Sequence, residues 1–269
     1  MTDLSQSTRH TLSIRLSADG FSFSIYTSSP EDKASFRTFR VNPQHSMAAN
    51  VKEFLAQTEE LDRPYRETNI LIHTSRYTSV PFELYEDDQS ETLFYQNLPR
   101  QNNEVILCNI LGKSNVAVLF SLDKLTHQLL TDHFPKARFF ASISPITEYL
   151  TIRNRQSAGH NEMYSIFHPR HVDILMFSHR RLTLVNTYRA SDSSDKNYYL
   201  LDVWKQLDLD PCTDRLSLYG TRPLEETAGF LKTYIKNIHI INPRTEFTHT
   251  AMNSVHEVPF DILSLISCE

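Results

Sequence analysis

Residues with the types and spacing to do chemistry are sparse in this chain. Two basic turns, His168-Pro169-Arg170-His171 and His179-Arg180-Arg181, could hold an anion or an acidic peptide. They fall on successive hairpins, whose turns lie at opposite ends of the strands, so their charges should not converge. Solvated turn residues are the expectation. The acidic run Glu86-Asp87-Asp88 has the composition of a metal site, but adjacent side chains on one helix do not converge on an ion. It reads as a helix N-terminus, where carboxylates suit the dipole. Twelve histidines are present. None forms His-x-x-x-His on a helix, and no cysteine pair joins them, so no metal site is expected. A nucleophile elbow of the form Gly-x-Ser-x-Gly is missing, and no catalytic residue is assigned. Asp173, between Val172 and Ile174 in a predicted strand, is either a buried, partnered carboxylate or a solvent-facing one, and solvent-facing is the expectation.

Glycine is scarce, at 5 residues in 269. Gly20, Gly112, Gly159, Gly220 and Gly229 are too far apart to build a glycine-rich phosphate loop. Cradling phosphate with backbone needs glycines that allow close approach and positive φ. Residues alone therefore predict no cofactor.

The elements that would position these groups occur twice. Residues 13–26 read as strand, tight turn at Asp19-Gly20 and strand, and residues 165–177 read the same way. In each copy a third strand, a helix and another strand follow. The first half continues with a helix over 46–61 and a strand over 69–73. A second hairpin about Gly112 follows, then a helix over 121–134 with Ser121 as its N-cap. A polar break with Gly159 is the expected lobe boundary. In the second half Trp204, with Tyr198, Tyr199, Leu200 and Leu201, forms a helix face expected to be core. An apolar helix over 260–266 closes the chain and is expected to dock on the second lobe. Alternating helices and strands after three-strand meanders imply α/β lobes of mixed sheet.

Composition narrows the classes. The formal charge is −5, whereas a nucleic-acid binder normally carries a basic surplus. Three distant cysteines, Cys108, Cys212 and Cys268, argue against a disulfide framework and for a reducing compartment. The polar N-terminus lacks a signal-peptide core, and no window approaches the ~20 apolar residues of a membrane span. A cytoplasmic location and no direct membrane insertion are expected.

The element order resembles the actin-like ATPase superfamily over nearly the whole chain, nearest to the pilus-assembly and type II secretion actin-like proteins. It is similar also to a Bacteroidetes family of unknown function. The patches that carry the likeness are Asn69-Ile70-Leu71-Ile72-His73 with Val80-Pro81-Phe82-Glu83-Leu84, residues 116–132 with 137–150, and Leu216-Ser217-Leu218-Tyr219-Gly220-Thr221. The resemblance implies a duplicated ribonuclease H-like, two-lobed α/β fold. Lobes of 1–157 and 158–269 are expected, with a subdomain inserted at about 78–136. In that superfamily an Asp-x-Gly turn at the first hairpin of each lobe serves ATP chemistry. The matching positions here hold Arg15 and Ser17 in the first lobe and Ser165 and Phe167 in the second. Gly220 and Thr221 stand as a residual nucleotide loop. The resemblance therefore implies a non-catalytic interaction or scaffold protein with degenerate phosphate turns. Its expected partner is a protein or peptide, such as the cytoplasmic tail of a membrane protein. The alternative is a divergent nucleotide-binding ATPase or kinase, with Asp19 and Asp173 as its metal-binding carboxylates. The oligomeric state is left open.

Overall fold

The computed structural model describes residues 4–27, 29, 32, 34–156, 161–220, 223–248, 250, 252, 255 and 258–268. They divide into two compact units, Met1–Ile146 with Phe247–Glu269, and Thr147–Glu246. Each is built on a five-stranded mixed sheet.

The first sheet contains β1 (Thr11–Ser17), β2 (Gly20–Tyr26), β3 (Ser35–Phe39), β4 (Glu67–His73) and a last strand, Arg138–Ala141. The first three form an antiparallel meander, and the other two add in parallel beyond β1. Period-two alternation sends Leu12, Ile14 and Leu16 to one face, where they meet Phe21 and Phe23 across the ladder. Helix α1 (Met47–Gln57) covers that face with Phe54, whose ring packs 5.6 Å from Phe21 and 5.2 Å from Phe39. Ser46 caps this helix by accepting the Ala49 N–H.

A second, three-stranded antiparallel sheet is inserted after β4. It comprises β5 (Tyr77–Pro81), β6 (Glu104–Leu111) and β7 (Val116–Asp123), with α2 (Ser90–Asn97) packed on it through Phe94. Its polar anchor is a part-buried pair that sequence reading did not find. Arg76 grips Glu104 through Nε and Nη2 at 2.8–3.2 Å. Tyr95 and the Gln101 N–H also donate to Glu104. Burial pushes the Glu104 carboxyl up, but Arg76, Ser121, Gln101 and Tyr95 together hold it below its usual value. Nothing local marks this pair, because its members lie 28 residues apart. The expected cap at Ser121 is corrected: β7 runs through it, and Asp123 caps α3 (Lys124–His133) by accepting the Thr126 N–H. Helix α4 (Ile143–Arg155) follows β8 (Arg138–Ala141).

The second unit repeats the first topology. Its strands are β9 (Glu162–Phe167), β10 (His171–Ser178), β11 (Arg181–Arg189), β12 (Arg215–Gly220) and β13 (Asn237–Ile240). The order β11-β10-β9-β12-β13 matches β3-β2-β1-β4-β8 strand for strand. Helices α5 (Ser193–Gln206) and α6 (Glu225–Leu231) bring Leu200, Val203, Trp204 and Leu231 onto Met163, Ile174, Leu216 and Leu218. Trp204 is core as expected, whereas Tyr198 is 64% exposed and lies off that face.

After the short helix α7 (Pro243–Glu246), α8 (Phe260–Cys268) closes the chain. It was expected on the second lobe and belongs instead to the first unit. An apolar helix shows that it must be buried, but its sequence does not say against which sheet. Near its start, Asp261 pairs with Arg15 of β1.

Candidate functional site

Arg15 projects from β1 on the face opposite α1, in line with Ser13 and Ser17. Ser22 and Ser24 lie across the ladder on the same face, and these serines are all buried. Arg15 donates from Nε to Asp261 Oδ2 at 2.6 Å, and the two side chains are 13% and 3% exposed. Asp261 stands at the start of α8, where its Oδ1 also accepts the Ile262 N–H at 2.9 Å. The carboxylate thus binds β1 and its own helix end together. Arg15 is thus paired with a specific acid. The acid comes from the C-terminal helix of the same unit.

Ser17 ends β1, and its Oγ accepts the Asp19 N–H at 3.1 Å. This is a local turn bond of the sort serine makes in hairpins. Ala18 and Asp19 form the turn between the paired Ser17 and Gly20, and Gly20 opens β2 at φ 152°.

Ser165 and Phe167 do not lie on the face equivalent to Arg15 and Ser17. Ser165 pairs with Ile174, and Phe167 pairs with Val172. Those partners belong to the core under α5. Ser165 and Phe167 therefore face their unit's helix, whereas Arg15 and Ser17 face away from theirs. A one-residue offset in a strand is enough to reverse facing. The residues of β9 that face away from α5 are Tyr164 and Ile166. Ser165 is fully buried, and its hydroxyl has no hydrogen-bond partner among the described residues.

Gly220 ends β12 beside Phe167. A Cβ there would approach the Leu224 side chain to 3.3 Å, so glycine at this position serves close packing. Thr221 lies outside the described residues, as does the expected boundary glycine Gly159.

Asp173 is corrected from a solvent-facing residue to a buried, partnered one. Its Oδ2 lies 2.8 Å from His168 Nε2, and its Oδ1 accepts the Thr187 hydroxyl. Burial pushes this carboxyl up, but His168, His171 and Thr187 outweigh it and hold the group below its usual value. Lys196, also buried, donates to the carbonyls of His168 at 2.7 Å and Pro169 at 3.2 Å. The first basic turn is therefore built into the unit, not merely solvated. The second turn is different: His179 and Arg180 have φ of 49° and 65°, and they close a two-residue hairpin in left-handed backbone without glycine.

Two mixed sheets with the same strand order define a protein of the actin-like ATPase fold, which is ribonuclease H-like. The chain belongs to DUF3822, a family of proteins of unknown function, which matches it over residues 1–238. It is similar to a Bacteroides thetaiotaomicron protein described as having an actin-like ATPase fold and unknown function. The identity is 36%, all of both chains is covered and the TM-score is 0.88. The fold is also shared with a chain of the PilM–PilN type IV pilus biogenesis complex. That likeness covers 96% of this chain and 98% of the other, at 11% identity and a TM-score of 0.60. No curated protein matches the chain. Among the described residues, no helix is long and apolar enough to cross a membrane.

Proposed function

We propose that this protein is a non-catalytic member of the actin-like fold, an interaction or scaffold protein whose phosphate turns have degenerated. One observation carries the reading. Where the superfamily resemblance calls for an aspartate, the first unit has Arg15, held by Asp261 at 2.6 Å. A guanidinium cannot coordinate Mg²⁺ and does not lose its proton at working pH. The second unit supports the same conclusion in either register, since Ser165 with Phe167 and Tyr164 with Ile166 alike provide neither the carboxylate nor the glycine. Asp173, one of the two carboxylate candidates, is already engaged by His168 and Thr187. The fold shared with one chain of a protein–protein complex favours a protein or peptide partner. A cytoplasmic site and the absence of a nucleotide cofactor belong to the same reading.

Isothermal titration with Mg·ATP and Mg·ADP tests it. The expected result is no binding at nucleotide concentrations on the order of 100 μM. Arg15→Asp with Ser17→Gly is expected not to create binding. Asp261→Asn should accompany these changes, because the new carboxylate would otherwise face Asp261. Micromolar binding with hydrolysis by the unaltered protein would replace this reading with that of a divergent ATPase or kinase.

A further inference from the structure

A groove of about 760 Å³ opens in the second unit, within the roughly 300–1,000 Å³ of small-molecule sites. Its strand residues come from one face of the sheet. Leu216 and Leu218 of β12 enter the core under α5, so Arg215 and Ser217 face the other way by alternation. The parallel ladder sets Asn237 of β13 beside Arg215, and His239 beside Ser217. Arg215, Asn237 and His239 all line the groove. Ile238 packs against the core, so it meets the groove only through its backbone. Helix α4 borders the same face, with the Arg153 guanidinium 5.8 Å from the centre of the Tyr164 ring. Arg153, Thr213 just before β12, and Glu246 of α7 also line the groove.

These groups are committed unequally. Arg153 donates to Glu246 at 3.0 Å, and the Tyr149 hydroxyl donates to the other oxygen of that carboxylate at 3.1 Å. Glu246 is thereby engaged on both oxygens and fixes Arg153 in place. Arg215 is half-exposed, and among the described residues its nearest acid is Glu162 at 4.0 Å. That carboxylate already accepts the Ser217 hydroxyl at 2.7 Å. Arg215 therefore keeps a guanidinium available to an anion. The neutral groups offer acceptors. Asn237 spends its Nδ2 on the Cys212 carbonyl at 2.9 Å, which leaves Oδ1. The Thr213 hydroxyl donates to Asp210, which leaves its own oxygen as an acceptor. An occupant must bring a negative group for Arg215 and donors for Asn237 and Thr213. A doubly ionised phosphate monoester meets the first need and not the second, because its outer oxygens are all acceptors.

We propose that this groove binds a small polyhydroxylated carboxylate. The carboxylate lies against Arg215, whose planar fork matches two oxygens at once, and Arg153 adds positive potential. The hydroxyls donate to Asn237 Oδ1 and Thr213 Oγ1. Selectivity comes from those acceptors, since an acid without hydroxyls leaves them unpaired. Arg15, Ser17, Ser165 and Phe167 do not line the groove, so the inference does not rest on the proposed function.

Gluconate is the probe, titrated into the full chain while heteronuclear NMR follows the amides of Asn237 and His239. Saturable shifts are expected, with a Kd on the order of 1 mM. Gluconamide keeps the hydroxyls and lacks the charge, and butyrate keeps the charge and lacks the hydroxyls. Each should bind about tenfold more weakly or worse. Arg215→Gln, at a half-exposed position, should weaken gluconate binding about tenfold or more and leave the urea midpoint unchanged. The proposal is overturned by no shift at gluconate concentrations on the order of 30 mM. Gluconamide, butyrate or inorganic phosphate binding as tightly as gluconate overturns it too, as does indifference to Arg215→Gln. Nucleotide titration is a separate readout, so either result stands without the other.

Discussion

Asp261→Ala is expected to free the C-terminal helix and lower the stability of the first unit by about 3–5 kcal/mol, the range for removing one partner of a buried ion pair. The loss has two sources. Arg15, only 13% exposed, keeps its charge and loses its acceptor. The Ile262 N–H loses the oxygen it bonds at 2.9 Å. Urea denaturation gives the magnitude. Hydrogen exchange across Phe260–Cys268 gives the location, because an undocked helix of 9 residues is too short to stay folded alone. Replacing both partners with apolar residues, Arg15→Met with Asp261→Leu, should recover most of the loss, since no buried charge is then stranded. If Asp261→Ala left stability and exchange unchanged, the pair would not be what fastens α8 to β1.

Arg76→Met should be comparably damaging, at about 3 kcal/mol near neutral pH, and its effect should depend on pH. In the native protein the folded Glu104 carboxyl lies below its usual value. Its contribution is therefore present above the unfolded glutamate pKa of about 4.3 and is lost as pH falls through the lower folded value. Without Arg76, burial is expected to outweigh Ser121, Gln101 and Tyr95 and to raise the folded pKa of Glu104. The variant then gains relative stability from protonation in acid and loses it as pH rises through the unfolded value. The gap between native and variant should accordingly widen from about pH 4 to about pH 7. Paired urea titrations at those two conditions measure it. A gap that narrowed toward neutrality would mean that Glu104 is not held ionised by Arg76. Because the pair sits in the three-stranded sheet, exchange should increase first in β6 and α2.

The duplicated topology is readable in the sequence because hydrophobic alternation and turn chemistry are local. Residues 13–26 and 165–177 alternate about tight turns, and each half then carries a helix and a strand in the same order, so two sheets of like connectivity follow. The scattered glycines likewise exclude a glycine-rich phosphate loop by sequence alone. Facing is less secure. Arg15 and Ser165 both read as polar residues in a first strand, but a one-residue offset puts one away from its unit's helix and the other beneath it. Only the ladder partners, Ser22 for Arg15 and Ile174 for Ser165, resolve that. Long-range pairing is not legible at all. Arg15 and Asp261 are 246 residues apart, and Arg76 and Glu104 are 28 apart. Neither pair has a periodicity, because a charged residue's partner is set by the packing of whole elements. Asp173 shows the same limit: a lone carboxylate between two apolar residues looks solvent-facing until His168 and Thr187 are folded against it. Sequence pattern determined which elements form and how they are ordered; tertiary packing decided which charges are buried, because burial depends on what covers a face.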